Sequence, residues 1–214
     1  MEVKVMKNIL GANDEIAAEN RKLFREKNIC VVNLMGSPGS GKTSLLEKTL
    51  EKIAGKISVA VIEGDLFTAR DAERIERLSV PVIQINTAGG CHLDAAMIRR
   101  AAESLNLEKI NLLIVENVGN LVCPAEFDVG ENFKAVVLSI TEGDDKPLKY
   151  PLIFKESAVV LLNKIDLLPY TNFNLASARE DLTTIHPGVE IIETSCTNGA
   201  GVDAWADWLI GKVI

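Results

Sequence analysis

Seven short apolar runs alternate with helix-like stretches along the chain, and most of the runs lead into polar or glycine-containing segments. The runs cover residues 29–35, 57–62, 80–85, 110–116, 135–141, 158–163 and 189–194. Helical patterns fill residues 43–54, 70–78, 92–105, 174–185 and 202–211. Continuous apolar strands separated by helices are typical of a parallel sheet covered on both faces. The pattern therefore predicts an α/β fold, with a mostly parallel sheet of about seven strands whose carboxyl ends carry the functional site.

The segment before the first apolar run is predicted to be a further helix, capped by Asn13. Ile16, Leu23 and Phe24 would share one face of this helix. We expect residues 1–27 to form a helical extension that packs on the rest of the chain, with a partner-binding arm as the alternative. No repeat, low-complexity tract or linker interrupts the sequence, so the whole chain, 1–214, is expected to form a single domain.

The first apolar run leads into the glycine-rich segment GSPGSGKT, which fits the pattern G-x-x-x-x-G-K-[ST]. A buried strand before this segment and a helix after it are the context of a phosphate-binding P-loop, whose backbone N–H groups surround the phosphates of a nucleotide. Lys42 is expected to reach the outer phosphates, and the Thr43 hydroxyl to bind Mg²⁺. The predicted phosphate-binding residues are Gly36, Ser37, Pro38, Gly39, Ser40, Gly41, Lys42, Thr43 and Ser44.

A second nucleotide signature, N-K-I-D, follows the strand predicted to end at Asn163. N-K-x-D after an apolar strand is the guanine-reading element of GTPases. The carboxylate of Asp166 accepts hydrogen bonds from guanine N1–H and the 2-amino group together, and adenine has no such pair of donors. Asn163 is expected to brace the P-loop, and the stem of Lys164 to lie along the base. The later loop TSCTNGAG resembles the one that contacts guanine O6 through backbone N–H groups, which places Ser195 and Cys196 in the nucleotide site.

Acidic residues follow two of the apolar runs, where they could complete a Mg²⁺ site with Thr43. Asp65 and Glu116 are the candidates to bind the ion, directly or through water, and with Lys42 and Thr43 they form the predicted catalytic set. Gly119 keeps the D-x-x-G spacing of Ras-like GTPases, with Glu116 in place of the aspartate. Asp71 is an open case between the nucleotide site and an acid favoured at any helix N-terminus. No residue aligns with the catalytic glutamine of Ras-like proteins, so slow intrinsic hydrolysis is expected.

Two thiols and an imidazole are predicted at the same edge of the sheet as the nucleotide. Cys91 and His92 stand at an expected helix start, and Cys123 lies just past the fourth apolar run. Thiolate and imidazole ligands suit Zn²⁺ and Ni²⁺. Three ligands are too few for a closed tetrahedral site, which a two-fold dimer could complete. The residues alone also allow cysteines without a metal, because a C-H dipeptide and a lone cysteine have no recognised ligand spacing.

Composition and charge narrow the class of protein. A formal net charge of -7 without a long basic run argues against nucleic acid or an anionic membrane as a partner. No apolar stretch reaches membrane-spanning length, and the N-terminal segment MEVKVMKNILGANDE lacks the apolar core of a secretory signal. Four cysteines without a disulfide-like framework fit a reducing compartment. A cytoplasmic location is therefore expected.

Segments spread over nearly the whole chain share the pattern of one family. They are NDEIAAENR, GSPGSGKT, EGD, NTAGGCHLDA, ENVGNLVCPAEFD, TEGDDKPLKYP and NKIDLLPY. Together they closely resemble the HypB family of GTPases, which help to insert nickel into nickel–iron hydrogenase. The resemblance implies a P-loop NTPase of the SIMIBI class that forms homodimers across its nucleotide sites. It also implies a metallochaperone that holds Ni²⁺ or Zn²⁺ at Cys91, His92 and Cys123 in the dimer interface, with maturation proteins such as HypA and SlyD as partners.

The sequence departs from the family pattern in its histidines and N-terminal cysteines. Some members carry a CxxCGC nickel site and others a histidine-rich tract, whereas this sequence contains neither and holds only His92 and His186. Nickel storage is therefore not expected. The related urease GTPase UreG has Cys-Pro-His, whereas Cys91 and His92 are adjacent in this chain and Cys123 is added, which favours hydrogenase over urease. A UreG-like urease factor and a regulatory GTPase with structural cysteines are the alternatives.

Overall fold

The computed structural model describes residues 6–65 and 70–213, apart from the side chains of residues 6–10, 70, 71 and 73. Seven strands pair in parallel in one sheet, in the order β3-β2-β4-β1-β5-β6-β7. The strands are β1 (Cys30–Gly36), β2 (Val59–Asp65), β3 (Val82–Asn86), β4 (Leu112–Glu116), β5 (Phe133–Ser139), β6 (Val159–Asn163) and β7 (Glu190–Thr194). The predicted α/β fold and its parallel sheet are confirmed.

Helices connect the strands in the described parts of the chain. They are α1 (Met6–Glu26), α2 (Lys42–Ile53), α3 (Arg70–Glu76), α4 (Ala95–Glu103), α5 (Cys123–Glu126), α6 (Lys146–Lys149), α7 (Pro151–Lys155), α8 (Leu175–Ile185) and α9 (Val202–Val213). The sequence does not predict α5, α6 and α7 because helices of four or five residues are too short to show a periodic pattern. No helix among the described residues is long and apolar enough to span a membrane.

Helices cover both faces of the sheet because alternate side chains of each strand point to opposite sides. Leu34 of β1 packs on one face with α2 and α9, where Leu45 and Leu209 are buried. Val31 of the same strand packs on the other face with Ile98 of α4 and with the end of α1. Burial on both faces explains why the strands read as continuous apolar runs rather than as alternating ones.

The N-terminal helix differs from its prediction. Because α1 already runs from Met6, Asn13 lies inside the helix, and the predicted cap at this position is wrong. Asn13 instead accepts a hydrogen bond from Ala95 N (2.9 Å), and its amide donates to Asp128 O (2.8 Å). The fully buried Asn20 donates to Ala95 O (2.8 Å). The two asparagines therefore hold α1 against the start of α4.

The strand order places the predicted site segments side by side. β1 lies between β4 and β5, with Leu34 opposite Glu116 and Gly36 opposite Val137. The segments that follow β1 and β4 therefore leave the sheet next to each other at its carboxyl edge. Ligands of parallel α/β sheets bind at this edge.

Candidate nucleotide site and thiol cluster

The P-loop joins the end of β1 to the start of α2 and is fixed by close backbone approaches. Gly36 lies so near β5 that a Cβ would be 2.3 Å from Val137 O. Gly41 has a φ of 97°, and a Cβ there would be 2.5 Å from Asn163 Nδ2. A larger residue at Gly36 would force the backbone to shift, and one at Gly41 would be strained by its positive φ and would displace the Asn163 side chain. Lys42 is buried, and its Nζ donates to two loop carbonyls (3.2 and 3.3 Å), so the lysine folds over the loop.

A cavity of about 430 Å³ lies over the loop and the neighbouring strand ends. It is lined by Pro38, Gly39, Gly41, Lys42, Thr43, Ser44, Glu63, Gly64, Asp65, Arg74, Asn117, Val118, Gly119 and Lys164. Most of the predicted phosphate-binding residues therefore meet at one cavity. Gly36, Ser37 and Ser40 are not among its lining residues, and Ser40 is fully buried. We refer to this space as the phosphate cavity.

Acidic side chains gather on one side of the phosphate cavity. The Thr43 hydroxyl donates a 2.8 Å hydrogen bond to Glu116 Oε1, and both side chains are buried. Glu63 of β2 lies opposite Glu116 of β4 in the sheet register, and Asp65 is the last residue of β2. A hydroxyl and carboxylate oxygens form a donor set that suits Mg²⁺. The side chain of Asp71, which lies in α3, is outside the described residues.

Glu63 is a cavity residue that the sequence interpretation missed. It is 3% exposed and lines the phosphate cavity together with Asp65. Residues two apart on a strand point to the same face, so the E-G-D segment already indicated that both acids share one side. Gly119, by contrast, was predicted and lies against the P-loop, where a Cβ would be 2.8 Å from Pro38 N.

The residues predicted to read guanine lie at and just after the end of β6, and two of them contact the P-loop. Asn163 Nδ2 donates to Ser40 O (2.9 Å), as its expected bracing role requires. Lys164 Nζ donates to Gly39 O (2.6 Å), so its stem crosses the loop. Asp166 Oδ1 accepts a 2.5 Å hydrogen bond from the Ser195 hydroxyl. The residues Gly41, Ser44, Asn163, Lys164, Asp166, Leu167, Cys196 and Thr197 line a second cavity of about 220 Å³, the base cavity.

The loop after β7 supports the base cavity in two ways. Ser195 is fully buried, and its N–H donates to Ala200 O (2.9 Å), so this residue acts through its hydroxyl bond to Asp166. Cys196 lines the cavity itself. Burial raises the pKa of Cys196, which keeps the thiol protonated near neutral pH.

The two predicted thiols and the imidazole meet at the same sheet edge. Cys91 Sγ lies 2.9 Å from Cys123 Sγ and 3.5 Å from His92 Nδ1. A ligand atom from each residue lies within 4.8 Å of the others. We call these three residues the thiol cluster. The expected helix start at His92 is wrong, because Asp94 caps α4 by accepting from Met97 N (2.7 Å), and Cys91 and His92 stand in the preceding loop.

The surroundings of the thiol cluster shift the pKa values of His92 and Cys123. The His92 ring stacks on Phe127 at a centroid distance of 3.7 Å. Burial lowers the pKa of His92 and favours the neutral imidazole, which is the form that binds metals. The hydrogen bond that Cys123 shares with Cys91 raises the pKa of the Cys123 thiol. Cys30 lies apart in β1, where burial raises its pKa to about 11.

Asparagines after β4 connect the P-loop to the thiol cluster. Asn120 N donates to Gly36 O (3.0 Å), and its side-chain amide donates to Cys91 O (3.3 Å). The buried Asn117 accepts from Leu93 N (3.1 Å), next to His92. Leu93 itself is fully buried and lies against β2. One short segment therefore contacts both sites through bonds to residues distant in sequence.

Comparison with known proteins decides the family. The family model for the CobW/HypB/UreG nucleotide-binding domain matches residues 30–193. The hydrogenase maturation factor HypB of Escherichia coli (strain K12) is 49% identical over 209 residues, which cover 98% of this chain and 71% of that protein. The chain belongs to the HypB family. Membership confirms the sequence resemblance and identifies a P-loop GTPase of the SIMIBI class.

Two solved structures of HypB proteins have the same fold. HypB from Archaeoglobus fulgidus has a TM-score of 0.90 at 37% identity and covers 95% of this chain and 100% of its own. HypB from Helicobacter pylori, solved in complex with nickel, has a TM-score of 0.90 at 38% identity, with 94% of both chains covered. The fold of this HypB-family chain is thus that of its relatives over nearly all of its length.

Proposed function

We propose that this HypB-family GTPase is a metallochaperone that assists nickel insertion during maturation of nickel–iron hydrogenase. Support comes from the name of its relative, a hydrogenase maturation factor, and from the nickel complex of the H. pylori protein. The observation that carries the proposal is the thiol cluster, whose donor atoms lie within 4.8 Å of one another. It stands beside the nucleotide cavities, so cargo and GTP would occupy adjacent sites.

GTP would span the two cavities of this site. The base would enter the base cavity beside Asp166, and the triphosphate would follow the P-loop toward Lys42. Thr43, Asp65 and Glu116 would hold Mg²⁺, which neutralises charge on the phosphate oxygens when it is bound. Lys42 supplies a further positive charge for the outer phosphates.

The thiol cluster would hold Ni²⁺ or Zn²⁺ as cargo. Cys91 is exposed, and the cluster offers three ligands, one short of a closed tetrahedral site. A second copy of the chain related by a two-fold axis would supply the missing ligand, and a GTP-dependent homodimer in the cytoplasm would bring the two copies together. Maturation proteins such as HypA and SlyD would donate or accept the metal.

Replacing a cluster thiol should weaken Ni²⁺ binding. For Cys91→Ala or Cys123→Ala we expect a loss larger than the roughly 10–100-fold that removal of an outer-shell partner costs, because a direct ligand is lost. Cys30→Ala is the matched control, since this thiol lies in β1 and its pKa is raised to about 11. Anaerobic titration followed by thiolate-to-nickel charge-transfer absorption measures the affinity.

The same titration separates the proposal from a regulatory GTPase with structural cysteines. That alternative requires unchanged Ni²⁺ affinity in Cys91→Ala and Cys123→Ala, together with a loss of thermal stability. Equal affinity in the wild type and in all three variants would therefore overturn the metallochaperone proposal and leave the GTPase assignment intact.

Nucleotide and metal binding should be coupled through Asn120, which contacts both Gly36 and Cys91. A contact of the γ-phosphate or Mg²⁺ that shifts Glu116 and Gly119 should also shift Cys123. Linkage then requires GTP and metal to change each other's affinity by the same factor. Typical couplings of about 1–3 kcal/mol make this a several-fold to hundredfold effect.

Metal titrations of the apo, GDP and GTP-analogue forms test this coupling, with molar mass followed by light scattering. We expect the GTP-analogue form to be dimeric and to differ from the GDP form in metal affinity. Cys123→Ala should remove the difference but keep GTP binding. The same metal affinity and the same mass in all three forms would contradict the coupling.

A further inference from the structure

A third positive charge lines the phosphate cavity besides Lys42 and Lys164, and neither nucleotide motif contains it. It belongs to Arg74 of α3. The guanidinium makes a fork-to-fork pair with Glu47 of α2, with Nε to Oε1 at 2.9 Å and Nη2 to Oε2 at 2.5 Å. Nη2 also donates to the Ser44 hydroxyl at 3.0 Å. Arg74 of α3 thus contacts the N-terminal part of α2.

Ser44 marks the place where the two cavities join. It lines both the phosphate cavity and the base cavity, as do Gly41 and Lys164. A P-loop lysine reaches the β- and γ-phosphates, and Asp166 reads the base at the opposite end. The part of a guanine nucleotide that passes Ser44 between these ends is the α-phosphate. With GTP placed across the two cavities as proposed, Arg74 would lie beside the one phosphate for which the motifs provide no side-chain cation.

The chemistry of the contact also favours a phosphate. The bond from Arg74 to Ser44 joins a cation to a neutral hydroxyl, and a phosphate oxygen is the stronger acceptor for the same donor. Glu47 fixes the plane of the guanidinium through two parallel bonds, so little side-chain freedom is lost when a ligand binds. The arginine side chain is 34% exposed and faces the cavity, so an incoming phosphate can reach it.

We propose that Arg74 binds the α-phosphate of the guanine nucleotide in place of the Ser44 hydroxyl, and that Glu47 positions its guanidinium. The inference rests on the proposed placement of GTP across the two cavities. It predicts a contact common to GDP and GTP, because both carry the α-phosphate. Arg74 would thus act in nucleotide binding throughout the cycle rather than in cleavage of the γ-phosphate.

The proposal is tested by replacing side chains of the protein and, separately, single phosphate oxygens of the nucleotide by sulfur. Dissociation constants are measured for GDP and for the α-thio and β-thio analogues of GDP, with each α-thio diastereomer separate. The proteins are the wild type, Arg74→Ala, Arg74→Lys and Glu47→Gln. Arg77→Ala is the matched control, since this exposed arginine directly follows α3. Circular dichroism verifies that each variant is folded.

We expect Arg74→Ala to bind GDP about tenfold or more weakly, because a charge-assisted hydrogen bond is lost, and Arg77→Ala to match the wild type. Arg74→Lys should retain part of the affinity for GDP, since lysine keeps the positive charge but lacks the planar pair of N–H donors. One α-thio diastereomer should bind the wild type several-fold more weakly than GDP does. This sulfur penalty should vanish in Arg74→Ala, while the β-thio penalty stays the same.

Each opposing result has a distinct meaning. An α-thio penalty that is equal in the wild type and in Arg74→Ala would overturn the contact. If Glu47→Gln and Arg74→Ala lose the same affinity for GDP and the sulfur penalty does not change, the Arg74–Glu47 pair only holds α3 against α2. A wild type that binds ADP as tightly as GDP would instead overturn the proposed nucleotide placement itself.

Discussion

Replacing Lys42 by alanine should lower GTP turnover by about a hundredfold or more, because preorganised charge at the phosphates is removed. Lys42 is 7% exposed and folds back onto loop carbonyls at 3.2 and 3.3 Å, so its amine already stands over the loop. Thr43→Ala should have a similarly severe effect, since it removes a proposed Mg²⁺ ligand. Both variants should keep native circular dichroism, because alanine is a strong helix former at the start of α2.

The matched control for this experiment is Lys48→Ala on the same helix. The Lys48 side chain is 44% exposed and pairs with the exposed Glu51, so its loss should leave turnover unchanged. Phosphate release under saturating GTP and Mg²⁺ measures the rates. Turnover in Lys42→Ala at the wild-type rate would exclude the P-loop as the catalytic site.

Asp166→Asn should exchange guanine specificity for xanthine specificity. Asp166 lines the base cavity, and its Oδ1 already accepts a bond from Ser195, which orients the carboxylate. An amide can donate to the 2-oxo group of xanthine but cannot accept both guanine donors. Leaving a buried donor unsatisfied costs about 1–3 kcal/mol, which is roughly a tenfold to hundredfold loss of GTP affinity.

Competition against a fluorescent guanine nucleotide measures this exchange, with ATP, GTP and xanthosine triphosphate as competitors. Asp207→Asn on the exposed side of α9 makes the same chemical change far from the base cavity and should behave as the wild type does. A wild type that binds ATP as well as GTP would refute the guanine-reading role of Asp166.

The sequence predicts the strands well because their apolar runs are uninterrupted, and both faces of the sheet are buried. The P-loop and the N-K-I-D motif are likewise local patterns whose residues act at fixed spacing. Elements that depend on distant partners are harder to predict. Asn13 looks like a helix cap in isolation, but its side chain bonds to Ala95 and Asp128 of other segments.

The candidate site shows the same limit. The meeting of Cys91 and Cys123 follows from parallel strands ending at one edge, so the sequence can suggest it. The stacking of His92 on Phe127 and the reach of Arg74 to Ser44 depend on loop and helix placement, which no local pattern encodes. The sequence could have identified Glu63, because it shares a strand face with Asp65.

The fully buried Leu93 directly follows Cys91 and His92 of the thiol cluster. A Cβ on Gly64 of β2 would lie 2.7 Å from Leu93 Cδ1, so the Leu93 side chain packs directly against β2. Leu93 therefore anchors the segment of Cys91 and His92 to β2. If the thiol cluster carries a metal ion as proposed, an acceptor's ligand would approach the exposed Cys91 and bind the ion before the bonds to the cluster break. Transfer would then require docking of the two protein surfaces, and we expect its rate to rise with the concentration of the partner.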